Sequence, residues 1–263
     1  MACSSCVEAN RELPEALARI AELGFRHVDL FVIEGMEHLH PSDLACEDGS
    51  IAAVVSAVAA SGLTVSALNC GFSVPFGEEA SARAQIEREF AAMLKLAVEV
   101  ECSMLTMQIG GRDKAAGREE ALGRLRSFLS WLAELKGGHD VRLTFEPHVG
   151  SAAEKPADAL DLAQRLWPEV AVTYDPSHFA MQPELSSLAE TEPLLDYTAH
   201  VHVRNAAPGR MQAPMAEGNV DFAWLVTALD RRGYDGIVAI EYLDGEEAEA
   251  LALRDLLSGL GVV

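Results

Sequence analysis

The chain has 263 residues, 49% hydrophobic and 23% charged, an ordinary globular composition long enough to bury a sizeable core. Twenty Lys and Arg against 41 Asp and Glu leave a formal charge of −21, which repels phosphate backbones and anionic lipid and argues against nucleic-acid and membrane partners. No apolar run approaches the roughly 20 residues of a membrane span, no secretory signal is visible at Met1 to Cys6, and an odd count of five cysteines fits reduced thiols in the cytoplasm.

Apolar residues at Leu13, Leu17, Ile20 and Leu23 predict a helix over 10–23, ended by Gly24, and a strand follows over 25–31. The Ala/Val-rich stretch 49–60 reads as a helix bounded by Gly62, and 63–68 as a strand running into Asn69-Cys70-Gly71. An amphipathic helix over 80–101, a strand over 103–109 and the breaker Gly110-Gly111 come next. Helix 118–136, strand 141–145, a helix opened by Pro156 and running to Leu166, and a strand from Ala171 repeat the alternation. Pro176 ends that strand, and Asp175-Pro176 is also common turn chemistry. Beyond it, 184–195 is read as helix, 197–203 as strand and 205–219 as a long loop. Asp221 caps a helix to Arg231, 236–240 is the last strand, and 246–257 the last helix.

Seven strands alternating with helical segments, and an eighth sought within Met1 to Ser5, predict an α/β fold, a single (β/α)8 TIM barrel over residues 1–263 with no linker dividing it. Catalytic groups in such barrels sit where strands give way to loops at their C-terminal ends. Four consecutive strand ends here carry Glu146, Asp175, His202 and Glu241. Three carboxylates and one imidazole make an oxygen-rich donor set suited to Mn²⁺, Mg²⁺ or Zn²⁺. Thr173 and Asp175 share a face by the two-residue strand period, as do His200, His202 and Arg204. Burying that last trio without polar partners would cost several kcal/mol. Glu34, His38 and His40 fit either the mouth of the site or a solvated loop, and Met211 to Met215 either a lid or a mobile crossing. Trp131, Trp167 and Trp224 fall in helical apolar patterns and are assigned to the core. Cys3 and Cys6 have a zinc or redox spacing, but no second pair completes a four-ligand site.

The segments Leu143-Thr144-Phe145-Glu146-Pro147-His148-Val149-Gly150-Ser151, Thr173-Tyr174-Asp175-Pro176-Ser177-His178 and His200-Val201-His202-Val203-Arg204, with Gly218-Asn219-Val220-Asp221-Phe222 and Ala239-Ile240-Glu241, resemble the xylose isomerase-like TIM-barrel superfamily. That superfamily includes sugar-phosphate isomerases and epimerases, ketose 3-epimerases, hydroxypyruvate isomerase, inosose dehydratase and endonuclease IV. The resemblance implies one divalent ion (Mn, Mg, Zn or Co) held by Glu146, Asp175, His202 and Glu241. It places His178 on the substrate, with Arg204 and Arg210 as rival cations, and His148, Asn69 and Gln108 beside them. The endonuclease reading needs further histidines at the ends of the third and fourth strands, where this chain has Asn69 and Gln108.

The expectation is therefore a metal-dependent isomerase or epimerase of a sugar, sugar phosphate or related polyhydroxy carbonyl compound. Glu146 and Glu241 would carry protons to and from the carbon beside the carbonyl, through an ene-diolate. A dehydratase of the inosose or dehydroshikimate type, which begins with the same proton abstraction, and a barrel that binds sugar without turning it over remain as alternatives. A homo-oligomer is compatible with the sequence.

Overall fold

The computed structural model describes residues 1–46, 49–75, 79–110, 116–243 and 245–262; of the Gly110-Gly111 pair, Gly111 lies outside them. Eight parallel strands close into a barrel in sequence order, each hydrogen-bonded to the next and β1 to β8. They are β1 (Ala2–Ser4), β2 (His27–Val32), β3 (Thr64–Cys70), β4 (Met104–Gln108), β5 (Arg142–Glu146), β6 (Val170–Tyr174), β7 (Thr198–Val203) and β8 (Val238–Ile240). The weak opening segment is thus a strand because its neighbours supply the pairing: Ala2 sits opposite both His27 and Ala239.

The outer ring is formed by α1 (Leu13–Glu22), α2 (Pro41–Cys46), α3 (Ser50–Ser61), α4 (Ala80–Glu99), α5 (Arg118–Lys136), α6 (Pro156–Leu166), α7 (Pro176–Ala180), α8 (Phe222–Asp230) and α9 (Glu247–Gly259), with 3₁₀ segments at Ser5–Glu8 and Leu188–Tyr197. The apolar stripe Leu13, Ala16, Leu17 and Ile20 of α1 is buried, as the spacing requires. Helix α3 ends at Gly62 in the left-handed conformation (φ +72°), which a residue with a Cβ adopts only with strain.

Several expectations are corrected. The segment expected as helix over 184–195 is a 3₁₀ run from Leu188, opened by a capping box between Ser187 and Glu190 and carrying Pro193 inside it. Asp175-Pro176 opens a helix rather than a turn: Pro176 stands at its first position, where no N–H is needed, and Asp175 Oδ1 accepts the Ser177 amide at 2.8 Å. Helix α2 lies in a stretch for which the sequence predicts no element. Trp167 is 40% exposed, with the Arg142 guanidinium 5.1 Å from its ring centre; only Trp131 and Trp224 pack against the core.

Two irregularities set the interior. Val28 pairs with Val65 but Asp29 with Ala67, so Ser66 is an extra residue in β3. Val172 pairs with Thr198 but Thr173 with His200, leaving Ala199 extra in β7. Such bulges re-aim the side chains beyond them. Inside, Thr106, Thr144 and Thr173 form a layer of hydroxyls 2.7 to 3.2 Å apart, one strand period below Gln108, Glu146 and Asp175.

The loop after β7 is built on Asn205. Its Oδ1 accepts from the amides of Ala206 and Val220, and its Nδ2 donates to the carbonyls of Pro214 and Met215. A Cβ on Gly218 would collide with that carboxamide. Gly218→Ala is expected to cost about 1–3 kcal/mol in denaturant unfolding, as overpacking does. Gly123→Ala, within α5 and with open space around its Cβ, is expected to gain about 0.4–1 kcal/mol.

Candidate active site

The strand ends meet in one buried polar network. Glu146 ends β5, Asp175 follows β6, His202 lies in β7 and Glu241 follows β8, and all four are buried. His202 sits among the carboxylates: its Nδ1 lies 3.0 Å from Glu146 Oε1 and 3.7 Å from Glu241 Oε1, and its Nε2 lies 3.2 Å from Asp29 Oδ2. Gln108 Nε2 donates to Glu146 Oε2 at 2.8 Å, and Asn69 Nδ2 to Glu241 Oε1 at 2.5 Å. Both amides thus bear on the carboxylates themselves.

Arg204 points inward with His200 and His202, as strand alternation requires. Its Nη2 is 3.2 Å from Asp175 Oδ2 and its Nη1 3.3 Å from Glu241 Oε2, while Nε donates to Ser177 Oγ at 3.1 Å. Nη2 also lies 3.1 Å from His178 Nε2. A guanidinium can only donate, so His178 Nε2 is the acceptor and a neutral ring carries its proton on Nδ1. His148 lies against that ring, with centres 4.0 Å apart and planes tilted by 46°. Arg210 stays outside the network: it is exposed and paired with Glu217 at 2.7 Å. Glu34 accepts hydrogen bonds from Ser42, and His38 and His40 line a separate cleft with Arg11, Asp43 and Val54. Cys3 and Cys6 are buried free thiols, with Cys6 Sγ on Ser4 Oγ.

Electrostatics follow from the crowding. Burial pushes the Asp175 carboxyl up to about 7, helped by Glu146 and Glu241 and opposed by Arg204. Burial likewise raises Glu241 against the pull of His202 and Arg204. For Glu146 burial acts upward too, but the hydrogen bond and charge of His202 outweigh it and hold the carboxyl below its ordinary range. Burial disfavours a charged His202, yet Glu241, Asp29 and Glu146 raise it well above an ordinary imidazole. Burial drives His178 the other way, toward the neutral ring.

Two buried polar atoms in this network have no hydrogen-bond partner, Asp175 Oδ2 and His178 Nδ1. For His178 Nδ1 that costs about 1–3 kcal/mol, while Asp175 Oδ2 keeps the Arg204 charge 3.2 Å away; both atoms mark a place for a ligand. Donor atoms of Glu146, His202 and Glu241 lie within 4.8 Å of one another, as do those of Glu146, Asp175 and His178, so Glu146 belongs to both sets. Oxygen-rich donors with imidazole nitrogen fit a divalent ion, and the carboxylate surplus fits its charge. Beside Gln108 and His148 a cleft of about 530 Å³ opens, walled by Ile33, Phe72, Val74 and Val149. A larger groove of about 680 Å³ lies at the opposite end of the barrel, where Arg142 and Val170 begin their strands, away from this network.

Asp29 is the residue that motif reading missed. It follows Val28 in a strand legible from its apolar residues, and a lone acid among them gave the only signal.

The family profile described as xylose isomerase-like TIM barrel matches residues 17–258. No curated protein matches the sequence. Among solved structures, the chain is similar to the 3-keto-D-glucoside 4-epimerase YcjR from E. coli, with a TM-score of 0.70 and 20% identity over 95% of this chain and 94% of that one. It is similar to the D-allulose 3-epimerase of Methylomonas sp., with a TM-score of 0.76 and 14% identity over 98% and 96% of the two chains. The IolI protein, solved with a zinc atom, has a TM-score of 0.74 and 16% identity over 99% and 97%. At these identities the likeness is one of fold. The profile match, spanning most of the barrel and all four strand ends, shows that the chain belongs to the xylose isomerase-like TIM-barrel family.

Proposed function

We propose that this chain is a divalent-metal-dependent isomerase or epimerase of a sugar, sugar phosphate or related polyhydroxy carbonyl compound. One observation carries the reading: Glu146 and Glu241, on strand ends three positions apart around the ring, both approach the same nitrogen of His202. Glu146, Asp175, His202 and Glu241 would hold the ion, which supplies Lewis-acid stabilisation of negative charge developing on the substrate oxygens.

The chain's own groups account for the rest. A carbon acid beside a carbonyl needs a base at one face, and inversion needs an acid at the other. Glu146 and Glu241 offer one carboxyl from each side, kept in place by Gln108 and Asn69. His178 Nδ1–H has no protein acceptor and is free to donate to a substrate oxygen, while Arg204 and His148 border the same space. The apolar wall of the adjoining cleft suits the C–H face of a polyol. The activities of two fold neighbours, epimerisation of 3-keto-D-glucoside and of D-allulose, support a carbohydrate substrate.

Metal analysis of purified protein is expected to find about one divalent ion per chain, and His202→Ala to lose it. Unchanged occupancy in the variant would place the ion elsewhere. Proton exchange screened over ketoses, 3-keto-glycosides, inososes and dehydroshikimate is expected to find the substrate.

A further inference from the structure

We infer that Asp29 is a positioning residue, which fixes the ring of His202 so that Nδ1 is the atom offered to a metal ion. The inference rests on the reading that His202 is a ligand. Asp29 lies in β2, three strands around the ring from His202 in β7, and is fully buried. Both of its oxygens are engaged. Oδ1 accepts from Ser66 Oγ at 2.5 Å, and Oδ2 accepts from His200 Nε2 at 2.6 Å and His202 Nε2 at 3.2 Å.

An ionised carboxylate only accepts, so each imidazole nitrogen facing it must carry hydrogen. Its three neighbours at hydrogen-bond distance, one hydroxyl and two imidazole nitrogens, can all donate. With Asp29 holding the proton on Nε2, the other nitrogen of His202 is the one beside Glu146 and Glu241, and an ion bound there would replace the proton that Nδ1 holds against Glu146 in the ion-free protein. A carboxylate behind a ligating imidazole sets both tautomer and ring angle. The bulge at Ser66 serves the same end: the extra residue supplies the hydroxyl that stops the carboxylate from rotating.

Asp29, His200 and His202 do not look like a second ion site. Two ligands on one ion at bonding distance stand more than about 3 Å apart, whereas Asp29 Oδ2 and His200 Nε2 are 2.6 Å apart. As pure scaffold a buried carboxylate is also a poor choice, since an apolar residue of similar volume is often no less stable.

The test is Mn²⁺ titration of full-length protein together with ¹⁵N-edited NMR of the His202 Nε2–H resonance, recorded separately on the metal-free protein because Mn²⁺ is paramagnetic. Asp29→Asn is expected to weaken Mn²⁺ about ten- to a hundredfold and to shift or lose that resonance. Ser66→Ala leaves the charge and the fold in place and is expected to weaken Mn²⁺ several-fold, so the inference stays testable if Asp29→Asn does not fold. Wild-type affinity and an unchanged resonance in whichever variants fold would overturn it, even if their melting temperatures fall. If wild type binds no Mn²⁺, the metal reading fails by itself. The resonance then decides for Asp29: its loss in the variants supports the inference, and its persistence sinks it.

Discussion

Glu146→Gln and Glu241→Gln are each expected to lower turnover by about 10²–10⁴, the usual contribution of a positioned acid or base. Glutamine keeps the shape and one oxygen but cannot accept the proton. The informative measurement is deuterium wash-in by NMR alongside net turnover. In a two-base epimerase each variant loses turnover while one retains exchange of the substrate's α-proton with solvent. A one-base aldose–ketose isomerase would need one glutamate for exchange and not the other. A dehydratase would give a conjugated product with new ultraviolet absorbance. Full exchange and turnover in both variants, with the ion still bound, would remove both residues from the mechanism.

Arg204 carries the second large effect. Its guanidinium lies against Asp175 and Glu241 with all three side chains buried, and removing one partner of a buried ion pair typically costs about 3–5 kcal/mol because the remaining charge is stranded. Arg204→Met is expected to show that loss in denaturant unfolding of metal-free protein, with activity abolished. Arg204→Lys keeps the charge but cannot reach Ser177, His178, Asp175 and Glu241 together, so an intermediate value is expected. Saturating divalent ion should narrow the deficit by supplying positive charge near the same carboxylates. A loss under about 1 kcal/mol in Arg204→Met, within the range of exposed pairs, would show that the carboxylates do not depend on this cation.

Much of the barrel was legible because each strand is an apolar run closed by a breaker, and because polar groups recur at the ends of those runs. Arg118–Lys136 matches the expected helix at both ends, and Glu146, Asp175, His202 and Glu241 fall into one network as their strand positions imply. What escaped depends on partners distant in sequence. The short strand Ala2–Ser4 has little intrinsic preference and is defined by β2 and β8. Arg210 is a local exception: Glu217, seven residues on in the same loop, takes up its charge at the surface. Asp29 acquires meaning only when the barrel closes and brings it to two histidines 171 and 173 positions away.

The extra residues Ser66 and Ala199 also constrain how this barrel can vary in length. Strand side chains alternate faces, so a one-residue slip exchanges inside for outside. Deleting Ser66 would either turn Asn69 away from Glu241 or, with Leu68 to Cys70 held by β4, draw the end of α3 toward the mouth by about 3.3 Å. Point substitutions on β3 and β7 can accumulate singly, but a deletion at either bulge needs a compensating insertion in the same strand.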